Sequence, residues 1–285
     1  MDINHIFVVG AGTMGSGIAQ TAAVAGFQVT MMDVDKQALQ RGKDTITTSA
    51  GKLLKKERIN QQQHDAALAI KTVIDLDTLG EADLVIEAAT ENPELKTSIF
   101  KDLDQHARPE VILASNTSSI SLDKLAAATN RPRLVVGMHF FNPVPLMALL
   151  EVVKGYHTTR KTVAAVVEVG EKMGKTPVVV KDSPGFVANR ILCPMLNEAI
   201  LVLEEELADK EGIDTIMKLG MGHPIGPLKL ADMIGLDVLL AIMEVLHHDI
   251  GDDKYKPAPL LRRMVEDGQL GRKSGKGFYE YDKNS

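Results

Sequence analysis

Residues 10–15 read Gly10-Ala11-Gly12-Thr13-Met14-Gly15, a G-x-G-x-x-G spacing set between an apolar run, Ile6-Phe7-Val8-Val9, and a helical pattern that Gly26 ends. Glycines at this spacing say little by themselves. Between a buried strand and a helix they constrain the fold strongly. Gly10 permits a tight turn, Gly12 lets a phosphate approach where a Cβ would stand, and Gly15 lets the helix lie close to the strand. The helix start, with Thr13 and Met14 in its first turn, offers unbonded N–H groups and the positive end of its dipole to an anion. A second strand pattern, Gln28 to Asp33, ends on an acid 18 residues after Gly15. A carboxylate there accepts hydrogen bonds from both hydroxyls of an adenosine ribose and repels a 2′-phosphate, which favours NAD over NADP.

The rest of the first two-thirds repeats this alternation. A long polar helical region from Lys36 to about Ala69 breaks at Ile59-Asn60. Strand patterns follow at 84–88, 111–115, 134–140, 149–153 and 177–180, with helical stretches at 94–106 and 162–173. Apolar rather than alternating strands between helices imply a parallel, Rossmann-type doubly wound sheet covered on both faces. The texture changes at Asp182-Ser183-Pro184-Gly185, beyond which helical periodicity persists with almost no strand pattern. At 285 residues the chain is long for one domain, the usual size being about 150. The reading is therefore an α/β domain over 1–183 and an all-α domain over 184–285.

Composition narrows the function classes. Hydrophobic residues make up 45%, charged residues 25%, and the net charge is −6, so no global attraction to nucleic acid or an acidic membrane operates. No window approaches the roughly 18 apolar residues of a membrane helix, and the start of the chain lacks the basic-then-apolar pattern of a leader. The one cysteine, Cys193, cannot form an internal disulfide and lies in an apolar stretch, which reads as a core residue in a reducing compartment, the cytoplasm. The eight histidines show no metal-ligand spacing.

The chemistry-bearing stretch is Gly137-Met138-His139-Phe140-Phe141-Asn142-Pro143-Val144-Pro145, then Leu149-Leu150-Glu151-Val152-Val153. His139 ends a strand on the edge where open α/β sheets bind ligands. Two prolines turn the chain, and the returning strand carries Glu151 within reach of His139. Taking hydride from a carbinol carbon requires the hydroxyl proton to leave too, and an imidazole, which titrates near neutral pH, suits that transfer. A carboxylate beside it would fix the tautomer and stabilise the imidazolium that forms.

VVGAGTMGSGIAQ at 8–20, SNTSS at 115–119, HFFNPVPLMALLEVV at 139–153, KDSPGFVANR at 181–190 and GRKSGKGFYEY at 271–281 together resemble the L-3-hydroxyacyl-CoA dehydrogenase family, most closely its short bacterial 3-hydroxybutyryl-CoA branch. The resemblance runs from about residue 5 to 281. It implies a reversible NAD-dependent oxidation at C3 of a short acyl-CoA, with His139 as base and Glu151 as its partner. It implies that Asn189 lies near the thioester end, where its amide donates to a substrate oxygen. Ser118 and Asn142 match positions near nicotinamide and substrate, Asp33 matches the ribose acid, and Glu91, Lys96 and Lys273 match cofactor contacts. It also implies a homodimer formed through the helical part.

Lys52, Lys55 and Lys56 share a helix face by their spacing and could hold the phosphates of CoA as point charges. The family's CoA nucleotide site matches Ser49 and Lys56. Two competing readings remain at this stage: a hydroxy-acid or sugar-acid dehydrogenase on the same cofactor domain, and a non-catalytic NAD-binding protein. The lysine face and HFFNPVP speak against the first, and the intact His139, Glu151 and Asn189 against the second.

Overall fold

The computed structural model describes residues 2–282, and the chain divides into two compact units, Met1–Ser183 and Pro184–Ser285. In the first unit the elements run β1 (His5–Val9), α1 (Thr13–Val24), β2 (Gln28–Met32), α2 (Lys36–Lys55), α3 (Gln61–Leu68), β3 (Lys71–Val73), β4 (Leu84–Glu87), α4 (Pro93–His106), β5 (Ile112–Ser115), α5 (Leu122–Ala127), β6 (Val135–Phe140), β7 (Leu149–Lys154), α6 (Arg160–Lys172) and β8 (Thr176–Lys181). They build one eight-stranded sheet in the order β3-β2-β1-β4-β5-β6-β7-β8. Strands β1 to β6 are parallel neighbours, as the alternating pattern implies, and β7 turns back antiparallel to β6.

The central strands are buried along their whole length, which is why they read as continuous apolar runs. Strand β3 has three residues, too short to carry a hydrophobic period, and was not anticipated. The break foreseen at Ile59-Asn60 has a local cause. Glu57, just past α2, is left-handed (φ 55°), and Asn60 and Gln63 then form a reciprocal capping box that starts α3.

The link from β6 to β7 is a turn in which the Leu146 and Met147 N–H groups donate to the Pro143 carbonyl at 2.9 and 3.0 Å. The buried Lys175 ammonium holds it from below, donating to the carbonyls of Val144 and Met147. Burial pushes the Lys175 ammonium below its ordinary pKa.

In the second unit α7 (Ala188–Glu204), α8 (Lys210–Gly220), α9 (Pro227–Ile234), α10 (Leu236–Ile250) and α11 (Pro259–Glu266) pack around Leu196, Ile200, Leu228, Leu239, Met243 and Leu261. Cys193 belongs to this core, and burial pushes its thiol up to about 12, so it is no nucleophile. The closing GRKSGKGFYEY segment folds around Asp232. That buried carboxylate accepts from the Phe278 and Tyr279 N–H groups at 3.0 and 2.9 Å and from the Tyr281 hydroxyl at 3.0 Å. The approach is so close that a Cβ at Gly277 would fall 2.0 Å from the Asp232 Oδ1.

Replacing Asp232 with Ala would strand one buried and one part-buried N–H donor and is expected to cost about 2–4 kcal/mol. Because the chain has no tryptophan, urea unfolding can be followed by tyrosine emission, to which Tyr279 and Tyr281 of this segment supply two of the four rings. An unchanged midpoint would show that Asp232 does not hold the tail.

Candidate active site

The antiparallel β6–β7 register sets His139 directly opposite Glu151. Directly opposed residues share one face of the sheet with their Cβ atoms close together. Here His139 Nδ1 lies 2.8 Å from Glu151 Oε2, with His139 5% and Glu151 3% exposed. A carboxylate can only accept, so Nδ1 carries the proton and Nε2 of the neutral ring is left as an acceptor. The Ser118 hydroxyl lies 3.1 Å from Nε2 and donates to it. Phe141 tilts against the imidazole, ring centroids 4.7 Å apart. The result is an oriented base whose second nitrogen faces a hydroxyl-sized partner.

Ser118 is itself held. Glu91 Oε1 accepts from the Ser118 N–H at 2.9 Å, the Ser119 N–H at 3.1 Å and the Thr117 hydroxyl at 2.6 Å, fixing the 117–119 turn after β5. Burial pushes the Glu91 carboxyl up, but the Lys96 ammonium and these donors outweigh it and hold the group below the ordinary carboxylate range. Lys96 is 1% exposed and bridges Glu91, at 3.4 Å, and the fully buried Glu87, at 2.6 Å. Asn116 joins the next strand, its Oδ1 accepting from the Phe140 N–H at 2.9 Å. Asn142 is exposed at the head of the β6–β7 turn.

Neither Glu87 nor Asn116 was singled out in the sequence. The available signal was an acid closing an otherwise apolar strand, Leu84-Val85-Ile86-Glu87.

At the glycine turn, Gly10 has φ 100°, and a Cβ on Gly15 would fall 1.8 Å from the Gly10 carbonyl oxygen. The ideal Cβ of Gly12 meets nothing within 4 Å, and α1 begins there with no side-chain cap. That open, donor-lined end suits a dinucleotide pyrophosphate. Thr13 is exposed and Met14 half-buried beside it. Asp33 accepts from the Ala11 N–H at 2.8 Å and from the Asp35 N–H at 3.0 Å, so this carboxylate braces the turn.

A cleft of about 700 Å³ separates α2 from the Pro143–Leu146 turn. Ser49, Lys52, Lys56 and Arg58 line one wall, and Pro143, Pro145 and Leu146 line the other. Lys55 is not on this wall. The left-handed residue Glu57 reverses the chain after α2, and Arg58 supplies a cation that helical spacing could not reveal.

The structure thus brings together His139, Glu151 and Ser118 with Glu91 and Lys96 behind them, and Ser49 with Lys56. Asn189 and Lys273 belong to the second unit. Asn189 is half-buried in the first turn of α7, and Lys273 is paired with Asp237 at 2.6 Å. Among the described residues, no group of three or more His, Cys, Asp or Glu side chains could hold a metal, and no helix is long and apolar enough to cross a membrane.

Residues 5–183 match the NAD-binding domain of 3-hydroxyacyl-CoA dehydrogenase, and residues 185–281 match the C-terminal domain of the same family. A Deinococcus radiodurans protein named "Probable 3-hydroxybutyryl-CoA dehydrogenase" is 56% identical, over 96% of this chain and 99% of its own. The 3-hydroxybutyryl-CoA dehydrogenase of Bradyrhizobium diazoefficiens is 49% identical, over 98% of this chain and 96% of its own. The crystal structure of the (S)-3-hydroxybutyryl-CoA dehydrogenase of Ralstonia eutropha is 54% identical. It aligns with a TM-score of 0.96 over 99% of this chain and all of that one.

Two glycine variants separate cofactor approach from packing. Gly12→Ala should leave the melting temperature unchanged yet weaken NADH binding at least about tenfold. Gly15→Ala should cost about 3 kcal/mol or more of stability. NADH fluorescence titration and thermal unfolding read the two effects, and equal NADH affinity in Gly12→Ala would exclude close approach at that residue.

Proposed function

The chain belongs to the 3-hydroxyacyl-CoA dehydrogenase family, and from that membership we propose that it interconverts (S)-3-hydroxybutyryl-CoA and acetoacetyl-CoA in both directions. Hydride acceptance and donation is the chemistry that NAD supplies when bound. The observation that carries the reading is the buried 2.8 Å contact between His139 and Glu151, with Ser118 at the other ring nitrogen. In the oxidation His139 Nε2 takes the C3 hydroxyl proton as hydride leaves C3. The imidazolium so formed stays against the Glu151 carboxylate, which stabilises it. In the reduction the same imidazolium returns that proton to the C3 oxygen, so one dyad serves both directions.

Ser118 would bind the oxygen at C3 and steer the proton to Nε2. Gly10, Gly12, Gly15, Thr13, Met14 and Asp33 would hold the pyrophosphate and adenosine ribose. Glu91 would face the cofactor with Lys96 behind it, and Asn142 would border the nicotinamide. On the family resemblance alone, Asn189 is carried over as a donor to the thioester carbonyl and Lys273 as a cofactor contact.

The cationic wall of Ser49, Lys52, Lys56 and Arg58 supports CoA, rather than a free acid, as the substrate handle. The apolar wall across from it suits the pantetheine arm. The first unit would therefore bind NAD, and the helical unit would complete substrate binding and form a homodimer. Exposed apolar residues such as Leu219 (81%), Ile191 (67%) and Met221 (65%) support that last role. A single buried cysteine fits a cytoplasmic enzyme.

His139→Gln should lower kcat by about 10²–10⁴-fold and leave NADH affinity within a few-fold. Oxidation of NADH with acetoacetyl-CoA measures this, and equal turnover of free acetoacetate would refute the thioester assignment. Lys52→Glu combined with Lys56→Glu should raise the KM for acetoacetyl-CoA about tenfold with little change in the KM for NADH. An unmoved acyl-CoA KM would remove this cleft from the CoA site.

A further inference from the structure

We propose that Glu87 is a positioning residue for the dehydrogenase reaction, acting through Lys96 and Glu91 on the Ser118 hydroxyl that meets His139. This rests on the reading of His139 as the proton-transfer group.

Glu87 closes β4 with no exposed surface. Its Oε1 accepts from Lys96 Nζ at 2.6 Å and from the Ala89 N–H at 2.7 Å, and its Oε2 accepts from the Ser115 hydroxyl at 2.6 Å. Ser115 is its register partner on β5, so one carboxylate ties the ends of two strands to the loop leading into α4. The Lys96 ammonium donates to Glu87 and to the Ala89 carbonyl at 3.1 Å, and these two bonds hold its charge 3.4 Å from the Glu91 carboxylate. It therefore has one orientation. Glu91 in turn organises Thr117, Ser118 and Ser119, and the Ser118 hydroxyl ends the series 3.1 Å from His139 Nε2. Every link from the buried acid to the imidazole is a direct contact.

Energetics favour positioning over stability as the reason for this arrangement. Burying charged groups is costly, and their mutual attraction does little better than offset the cost. Apolar residues would serve a strand end at least as well if stability were the only demand. What the ion pair adds is direction: charge-assisted bonds in a low-dielectric interior allow few alternative geometries. Proton transfer is sensitive to such direction, since displacements near 1 Å cost about 10²-fold in rate.

The test is a double-mutant cycle on kcat for acetoacetyl-CoA reduction, using Glu87→Gln, Ser118→Ala and the pair, with NADH titration to confirm an intact cofactor site. If Glu87 acts through Ser118, Glu87→Gln alone should lower kcat about 10-fold or more, and the pair should be no slower than Ser118→Ala alone. Losses that multiply would overturn the proposal, as would a Glu87→Gln enzyme with undiminished kcat. Should Glu87→Gln fail to fold, Glu87→Asp displaces the same carboxylate and must show the same dependence on Ser118, at smaller amplitude. A Ser118→Ala enzyme of normal kcat would sink the proposal while leaving His139 as the base. Normal kcat in His139→Gln would instead sink the mechanism beneath it.

Discussion

The proposed proton-transfer pair in the first unit depends on one pairing, the antiparallel register that sets residue 139 of β6 against residue 151 of β7. Side chains on a strand alternate faces, so a slip of one residue would send the imidazole and the carboxylate to opposite sides of the sheet. The β6–β7 turn guards against that slip. Its internal hydrogen bonds and the Lys175 ammonium hold it from two sides, and Asn116, just after β5, pins the end of β6 where the turn begins. The same turn forms the apolar wall of the long cleft. The geometry of the proposed base and the shape of the proposed handle site therefore share one support.

The site combines two kinds of material. The strand interiors are apolar and buried, and give a rigid frame. At their carboxyl ends the chemistry changes abruptly to Asp33, Glu87, Ser115, Asn116 and His139, each engaged by a named partner. A polar group in that position must be satisfied or it destabilises the fold, so the buried members are constrained by cost as well as by use.

Much of this was legible in the residues. The strand–turn–helix setting of the glycines and the acid ending the second strand were local patterns. The prolines after His139 announced a reversal that could bring Glu151 back. Other features lay beyond local reading. The partners of Asp232 are 46 to 49 residues away in sequence, so nothing near it marks the tail it organises. Arg58 joins the cleft only because Glu57 takes a left-handed turn, whereas helical spacing suggested Lys55. Glu87 looks like the last residue of an apolar strand until Lys96, nine positions on, is seen to fold back over it.

The interior position of Cys193 has a further consequence. With one thiol in the chain, sealed in the helical core and held protonated, oxidants and alkylating reagents have no thiolate to attack in the native state. Modification at that sulfur must wait for the helices to part. A thiol-reactive dye would thus act as a stopwatch for breathing of the helical unit.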